Sequence, residues 1–347
     1  MFYLGLDVHG KWTTMVGFDP ATGEVVRRER VSNEPEALRA AVEALPGPRQ
    51  GVLEAGTNSW AIYRQLEPLF ERLAVAHPAD LWDRRQDRQA KTDRRDALRM
   101  AQKLYRGEIE PLYVPDVRTQ ELRCLVRAKV RSSRWVTKLT NEIGSLLRCW
   151  GYVGQRSLLS KRGLQDLEQA QLPARSARIL VLWRQMLSAA QAIEDELEQA
   201  VAQEARAEPE CALLRTVPGV GPFTALLLRA EIGEIGRFSG PKALAKYAGL
   251  VPKVRQSGET CRYGPLVPWG NRWLRYALVL WANRIARSRK DSGLRRFYWR
   301  RSLAGAKSNP AKIATARKAI QVIYHLLRRG EAWQESYAQE ERVRQVA

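Results

Sequence analysis

The sequence predicts an α/β domain at the N-terminus, then long paired helices, then a mainly α-helical C-terminal domain. Two observations support this order. Strand-like apolar runs alternate with helix-like segments up to about Gly107, which favours a mixed sheet covered by helices. Beyond that point apolar residues recur at helical spacing. We therefore predict an α/β domain at 1–113, long helices at 114–208, a basic helical domain at 209–335 and a polar tail at 336–347.

Short apolar runs place the strands and helices of the first domain. Strands are predicted in two or three runs up to Val31, in a run that ends at Glu54, and over 73–76. Helices are predicted over 35–45, 59–72 and 81–105. In sheets of this kind, ligands bind beyond the strand ends.

Four acidic residues occupy such positions. Asp7 follows the run 2–6, Glu54 ends a strand, and Asp93 and Asp96 lie on one face of a helix. Close carboxylates repel one another and are tolerated together around a cation. Mg²⁺ prefers oxygen ligands, and two ions about 4 Å apart can flank a phosphate during strand cleavage or transfer. Each acid taken alone is more typical of a turn or a helix cap, whereas the four in this order are more specific.

The chain is strongly basic. It carries 58 Lys and Arg against 37 Asp and Glu among 347 residues, a formal charge of +21. Residues 210–347 contain 26 of the basic and 9 of the acidic residues, an excess of 17. This excess favours a polyanionic partner, and the C-terminal part is expected to bind it.

Cysteine and hydropathy patterns narrow the class of protein. The four cysteines are scattered without a CxxC pair and there are three histidines, which disfavours a zinc site or a disulfide framework. The first residues reach Asp7 and His9 too early for a secretory signal, and no later apolar run has membrane-spanning length. We expect a cytoplasmic protein without membrane contact. For His9, two residues beyond Asp7, a structural or exposed role is favoured.

Two long apolar seams follow. The first comprises Leu122, Leu125, Val136, Leu139, Ile143, Leu146 and Trp150, and the second comprises Ile179, Trp183, Met186, Ala190, Ile193 and Leu197. Both predict long helices with one apolar face. Packing of the two helices within one chain and pairing with another subunit remain equally open.

The third region contains two candidate nucleic-acid-binding elements. Gly219 and Gly221 precede Pro222 in a turn of the helix-hairpin-helix type, whose backbone N–H groups can face a phosphate, although a plain helix-helix turn is equally compatible. Arg272 and Arg275 begin a later helix rich in Trp and Tyr, most of which are expected in the core. The basic aromatic stretch 295–301 is assigned to nucleic acid.

These motifs together resemble the DEDD transposases of bacterial insertion sequences, whose catalytic domain is RuvC-like with a ribonuclease-H-like mixed sheet. The resemblance is carried in order by segments 5–8, 53–55, 77–78, 91–97, 218–221, 247–252, 256–258 and 270–275, with 316–318 near the end. It spans nearly the whole chain. Where relatives commonly have a basic pair before Gly270, this chain has Pro268 and Trp269.

The resemblance implies a recombinase that cuts and rejoins DNA, guided by a structured bridge RNA that pairs with donor and target DNA. It implies that Asp7, Glu54, Asp93 and Asp96 hold two Mg²⁺ ions and that Ser257 is the nucleophile, in a homodimer or homotetramer. No histidine lies near Ser257 in sequence to act as its base. The expected nucleic-acid-binding residues are Gly219, Gly221, Arg255, Arg262, Asn271, Arg272, Arg275, Arg295, Arg296, Arg300 and Arg301.

Two other functions remain open from the sequence. A RuvC-like endonuclease would use metal-activated water, and Ser257 would then be irrelevant. A nucleic-acid-binding protein without catalysis would retain the basic C-terminal region and bind independently of Mg²⁺.

Overall fold

A computed structural model of the chain describes residues 1–81, 93–152, 163, 171–257, 260–305 and 307–335, with the backbone alone at 255–257, 260, 261 and 263. The residues divide into two compact units, Met1–Val114 and Pro115–Ala347. The long helices belong to the second unit, and the predicted boundary between 208 and 209 within it stays a prediction. None of the helices in the described ranges combines the length and apolar character needed to cross a membrane.

The first unit is an α/β fold, as predicted. Its elements in chain order are β1 (Phe2–Val8), β2 (Trp12–Asp19), β3 (Glu24–Ser32), α1 (Pro35–Glu43), β4 (Arg49–Glu54), α2 (Ser59–Leu66), β5 (Arg72–Ala76), α3 (Pro78–Leu81) and α4 (Asp93–Tyr105). The five strands form one sheet in the order β3-β2-β1-β4-β5. β1, β4 and β5 are parallel, whereas β2 pairs antiparallel with β1 and β3, so the sheet is mixed.

Alternation along the strands gives this sheet two apolar faces. Leu4, Leu6 and Leu53 pack with the helices α1 and α2 on one face. Val52 and Ala74 pack with α4 on the other face. The sheet is therefore covered on both sides, and the second apolar cluster takes helical residues from α4 and Leu81 from α3.

The predicted helix over 59–72 was too long. α2 ends at Leu66, and a short 3₁₀ turn, Glu67–Leu69, leads to β5. Pro68 accounts for the ending because it has no N–H with which to continue the helical hydrogen-bond ladder.

The second unit is mainly helical, with one small hairpin that the sequence patterns did not predict. Its elements are α5 (Val117–Cys149), α6 (Ala174–Ala207), α7 (Pro209–Arg215), α8 (Pro222–Ile232), α9 (Pro241–Tyr247), β6 (Pro252–Ser257), β7 (Thr260–Leu266), α10 (Arg272–Arg287), α11 (Gly293–Leu303) and α12 (Ser308–Arg329). α8 is buried along almost its whole length and is the centre of the core.

The two long helices pack on each other within the chain and run antiparallel. Arg118 near the start of α5 pairs with Glu204 near the end of α6, and Leu147 near the end of α5 clusters with Leu180 near the start of α6. Lys129 adds ion pairs to α6, at 2.8 Å from Glu198. Packing of the two helices on each other within one chain therefore buries one apolar face of each helix.

The seam predicted for α6 was only partly right. Ala190 is buried against α5 and Trp183 packs beside it, as predicted, but Ile179, Met186 and Ile193 are exposed. Leu180 and Leu187, which were not in the predicted seam, are buried in their place. The helix carries two adjacent apolar stripes, and periodicity alone does not decide which of them faces its neighbour.

Candidate active site and nucleic-acid interface

The acidic residues of β1 and β4 lie on the face of the sheet that α4 covers. Gly5 faces α4, since a Cβ placed there would lie 1.7 Å from the carbonyl oxygen of Ala97. Asp7 is two residues beyond Gly5, and Glu54 is two residues beyond Val52 in the α4-side cluster, so both share this face. The strands pair in parallel up to Leu6 opposite Leu53, which puts Asp7 and Glu54 at the same level beyond that pair.

The start of α4 brings the other two acids to the same edge. Ala97 lies over Gly5, so Asp93, one turn earlier in the helix, lies over the strand end that carries Asp7. Asp96 is 7 % exposed, and Asp93 is the more open of the two. Both carboxylates are in the first turn of α4, where the helix dipole favours negative charge.

A cluster of three potential metal ligands results from this packing. Ligand atoms of Asp7, His9 and Asp93 all lie within 4.8 Å of one another. Nε2 of His9 is 3.3 Å from an oxygen of Asp7 and 3.2 Å from an oxygen of Asp93. Glu54 and Asp96 are not members of this three-residue cluster within the described part of the chain. The structure thus unites Asp7 with Asp93 and adds His9.

His9 is the site residue that sequence reasoning missed. An alternating Asp-x-His pattern at a strand end was the available indication, because it puts both side chains on one face. The Nε2 atom is buried and has no hydrogen bond of acceptable geometry to any described residue, although two carboxylate oxygens are near it. A ring nitrogen without a hydrogen bond, set between two carboxylates whose oxygens can also serve as metal ligands, fits a divalent cation.

Two amide side chains fix the turn that carries His9. The carbonyl oxygen of His9 accepts a hydrogen bond of 2.7 Å from Asn33 and one of 2.9 Å from Asn58. Asn33 follows β3, and Asn58 lies in the loop between Glu54 and α2. Segments on both sides of β1 therefore hold the turn in place, which limits the movement of Asp7 and His9.

The predicted nucleophile Ser257 is the last residue of β6, where it pairs with Thr260 across the hairpin. Its side chain lies outside the described atoms, as does that of Arg255. Lys91 and Thr92 of the acidic motif and the tail 336–347 also lie outside the described residues.

The glycine-rich turn of the second unit borders a basic cleft. Gly219 has φ +79°, which favours glycine, and the indole nitrogen of Trp281 donates to the carbonyl oxygen of Pro218 at 2.9 Å. Gly221 precedes α8, and a Cβ there would lie 3.3 Å from a guanidinium nitrogen of Arg284. The cleft has a volume of about 790 Å³, and its charged lining consists of Arg215, Arg284, Arg287, Lys290 and Asp291.

Several residues predicted to contact nucleic acid also have structural partners within the second unit. Asn271 caps α10 by accepting from two backbone N–H groups and donates to the buried Glu231 at 2.8 Å. Arg275 donates to the carbonyl oxygens of Ala248, Val267 and Trp269. These contacts hold the N-terminus of α10 in place and engage Nε and Nη2 of Arg275, while the assignment of both residues to nucleic acid stays a prediction.

The other predicted arginines differ in their engagement. Arg295 donates to the carbonyl oxygen of Ser288 at 2.7 Å, and Arg296 pairs with Asp291 and Glu335. The others with described side chains are exposed, namely Arg262, Arg272, Arg300 and Arg301. Arg301 lies 5.6 Å over the ring of Phe297.

Comparisons with known proteins identify the family of the chain. Residues 4–150 match a family model described as "Transposase", for the DEDD transposases of the IS110 type, and residues 211–299 match the model "Transposase IS116/IS110/IS902 family". The transposase for insertion sequence element IS1111A of Coxiella burnetii is 30% identical over 70% of this chain and 68% of its own length.

Two further relatives extend the comparison. The putative transposase y4qE of Sinorhizobium fredii is 28% identical over 80% of this chain and 70% of its own length. The pilin gene-inverting protein of Moraxella bovis is 32% identical over 33% of this chain and 36% of its own length. The chain belongs to the IS110 family of DEDD transposases, insertion-sequence enzymes that cleave and join DNA.

Proposed function

We propose that this transposase uses Mg²⁺ ions held by Asp7, Glu54, Asp93 and Asp96, and Ser257 as the nucleophile that attacks DNA. The proposal rests chiefly on the approach of Asp7 and Asp93, which are distant in sequence and meet around His9. Bound Mg²⁺ would neutralise these carboxylates and stabilise charge on the phosphate oxygens. The register of Glu54 with Asp7 and the position of Asp96 in α4 support the inclusion of both.

The chemistry assigned to Ser257 is a phosphoryl transfer to its hydroxyl. Its Oγ forms a bond to phosphorus, the bond to the departing sugar oxygen breaks, and the serine proton passes to solvent as the departing oxygen gains one. The covalent ester conserves the energy of the phosphodiester, so the strand can be rejoined without ATP. Water as the nucleophile would instead release a hydrolysed end.

The family resemblance further supports a structured guide RNA that pairs with donor and target DNA, and a homodimer or homotetramer as the active unit. The cleft beside Gly219 and the charge excess of the second unit suit polyanionic partners. Sequencing of the RNA that copurifies with the protein tests the guide. A defined RNA encoded beside the gene is expected, and heterogeneous cellular RNA would contradict it.

Ser257→Ala tests the nucleophile. With a plasmid that carries the gene and its flanking DNA as substrate, the variant should lose the covalent protein-DNA adduct and all recombination while binding divalent ions as wild type does. Ser308→Ala, which removes an exposed hydroxyl from the same unit, is the control and should retain both activities. Strand cleavage that persists in Ser257→Ala would show that water attacks instead.

A further inference from the structure

Four guanidinium groups surround one buried indole in the second unit. The ring of Trp273, which is 6 % exposed, lies at the N-terminus of α10. The guanidinium carbons lie at these distances from its ring centre: 5.6 Å for Arg127, 5.7 Å for Arg131, 5.7 Å for Arg134 and 5.1 Å for Arg272. Three of them come from successive turns of α5, so two helices converge on a single basic surface.

Among the described residues, an acidic partner is found for one of the four arginines. Arg127 makes a two-pronged ion pair with the buried carboxylate of Glu231, at 2.7 and 2.9 Å. Arg131, Arg134 and Arg272 are exposed, and none of them forms an ion pair with any acid in the described ranges.

We propose that these three residues, the Trp273 arginine cluster (Arg131, Arg134 and Arg272), bind the phosphodiester backbone of nucleic acid. Each of the three guanidinium carbons lies within 5.7 Å of the same ring centre, so three positive charges are gathered around one indole. Like charges held this close repel one another, and a row of phosphates removes the repulsion.

The geometry of the cluster suits phosphates in particular. Guanidinium groups recognise phosphate through paired N–H donors, and stacking on an aromatic ring restricts their orientation before the ligand arrives. Arg134 also lies 5.6 Å over the ring of Tyr276, one turn beyond Arg272 on α10. Exposed Lys138 follows on the same face of α5 and extends the positive surface.

This inference goes beyond the proposed catalytic site and does not depend on it. The cluster contains none of the acidic residues and neither glycine of the hairpin turn. Binding can be measured in EDTA, where Mg²⁺ chemistry is absent, so failure of the nucleophile assignment would leave this proposal unchanged. Removal of the cluster is expected to weaken binding through lost phosphate contacts and thus to reduce the salt dependence.

The test compares two triple variants of the full chain. One carries Arg131→Gln, Arg134→Gln and Arg272→Gln, and the control carries the same charge change at exposed residues of α6, namely Arg175→Gln, Arg178→Gln and Arg206→Gln. Fluorescence anisotropy in EDTA, with a random-sequence DNA duplex and with an RNA hairpin as probes, gives affinity against salt concentration.

The cluster variant should bind at least about tenfold more weakly than wild type, and its slope of log affinity against log salt should fall by about 2–3, whereas the control slope should change by less than about 1. Loss with the duplex alone assigns the surface to DNA, loss with the hairpin alone assigns it to RNA, and loss with both assigns it to backbone contacts of either. Equal losses in the two triple variants, or no loss, would overturn the proposal. If the triple variant does not fold, Arg134→Gln alone should still lower the slope by about 1.

Discussion

The Cα of Gly5 in β1 lies directly beneath the carbonyl oxygen of Ala97 in α4, so that a Cβ at position 5 would be 1.7 Å from this oxygen. Gly5→Ala should therefore displace α4 from the sheet, because a backbone oxygen cannot move aside as a side chain can. We expect a loss of about 3 kcal/mol in unfolding free energy, the upper end of the overpacking range. Urea unfolding measures it.

Gly56→Ala is the matched control, since a Cβ there meets no atom within 4 Å. It should change stability by less than about 0.5 kcal/mol. The displacement of α4 in Gly5→Ala should also separate Asp93 from Asp7, so this variant should bind divalent ions more weakly than Gly56→Ala does. Equal stability of the two variants would show that the packing of α4 on β1 is not as close as described.

Metal binding should require both members of the acidic pair. Asp7→Asn and Asp93→Asn each replace a charged metal ligand beside His9 with a neutral amide. Mn²⁺ affinity should therefore fall by at least about 100-fold in each variant, because loss of a residue that only supports a metal ligand already costs about 10–100-fold. Titration calorimetry measures it. Asp19→Asn, at the far end of β2, should bind as wild type does. Wild-type affinity in both site variants would remove the metal assignment.

Much of this site could be predicted from the sequence because local apolar patterns indicate where the strands end. Apolar runs placed Asp7 and Glu54 at the ends of β1 and β4, and parallel pairing then brings them level. The approach of Asp93 depends on Gly5, whose missing Cβ lets α4 come close, and no periodicity encodes that distance. His9 escaped prediction for the same reason, since its partners belong to different elements.

The second unit was less predictable at the level of side chains. Asn271 and Arg275 stand beside aromatic and basic residues, a pattern typical of nucleic-acid contacts, yet their polar groups bind Glu231 and backbone carbonyls. Local composition cannot distinguish a phosphate-binding arginine from one that satisfies buried carbonyl groups. The β6–β7 hairpin was also missed, because strand and turn patterns there are short.

Asn58 should act as a positioning residue for the site. Its side chain donates to the carbonyl oxygen of His9 and makes no capping bond to α2, so Asn58→Ala should loosen the turn without unravelling the helix. We expect about 1 kcal/mol of lost stability and about tenfold weaker Mn²⁺ binding. Calorimetry and thermal unfolding measure the two effects.

Asn33→Ala provides the comparison, because Asn33 holds the same carbonyl group and also accepts from the hydroxyl of Thr13. It should weaken metal binding to a similar degree and cost more stability than Asn58→Ala. A variant that loses stability but binds Mn²⁺ normally would mean that the turn has no role in positioning His9.

The core of the second unit should depend on the carboxylate of Glu231. This side chain is fully buried and binds Arg127 and Asn271, so Glu231→Ala leaves charged and amide donors without their acceptor. The expected cost is about 3–5 kcal/mol. Glu198→Ala removes the more exposed of two acids that pair with Lys129, which keeps Glu194 at 3.5 Å, and should cost about 1 kcal/mol or less. Similar costs in chemical denaturation would contradict the distinction.

The N-terminus of α5 should respond to pH through Asp116. The backbone N–H of Thr119 donates to this carboxylate and, with the Thr119 hydroxyl, lowers the pKa of Asp116 below its usual 3.8. A lowered pKa in the folded state stabilises the protein above the unfolded value, and this contribution is lost as pH falls through the folded pKa. Asp116→Ala should cost about 1 kcal/mol at neutral pH through loss of the cap.

Asp116→Asn keeps an acceptor for the same N–H but cannot titrate, so its stability relative to wild type should rise as pH falls below about 4. Unfolding measured from neutral to acid pH gives both comparisons, and a constant difference between wild type and Asp116→Asn would show that this carboxylate titrates alike in the folded and unfolded states.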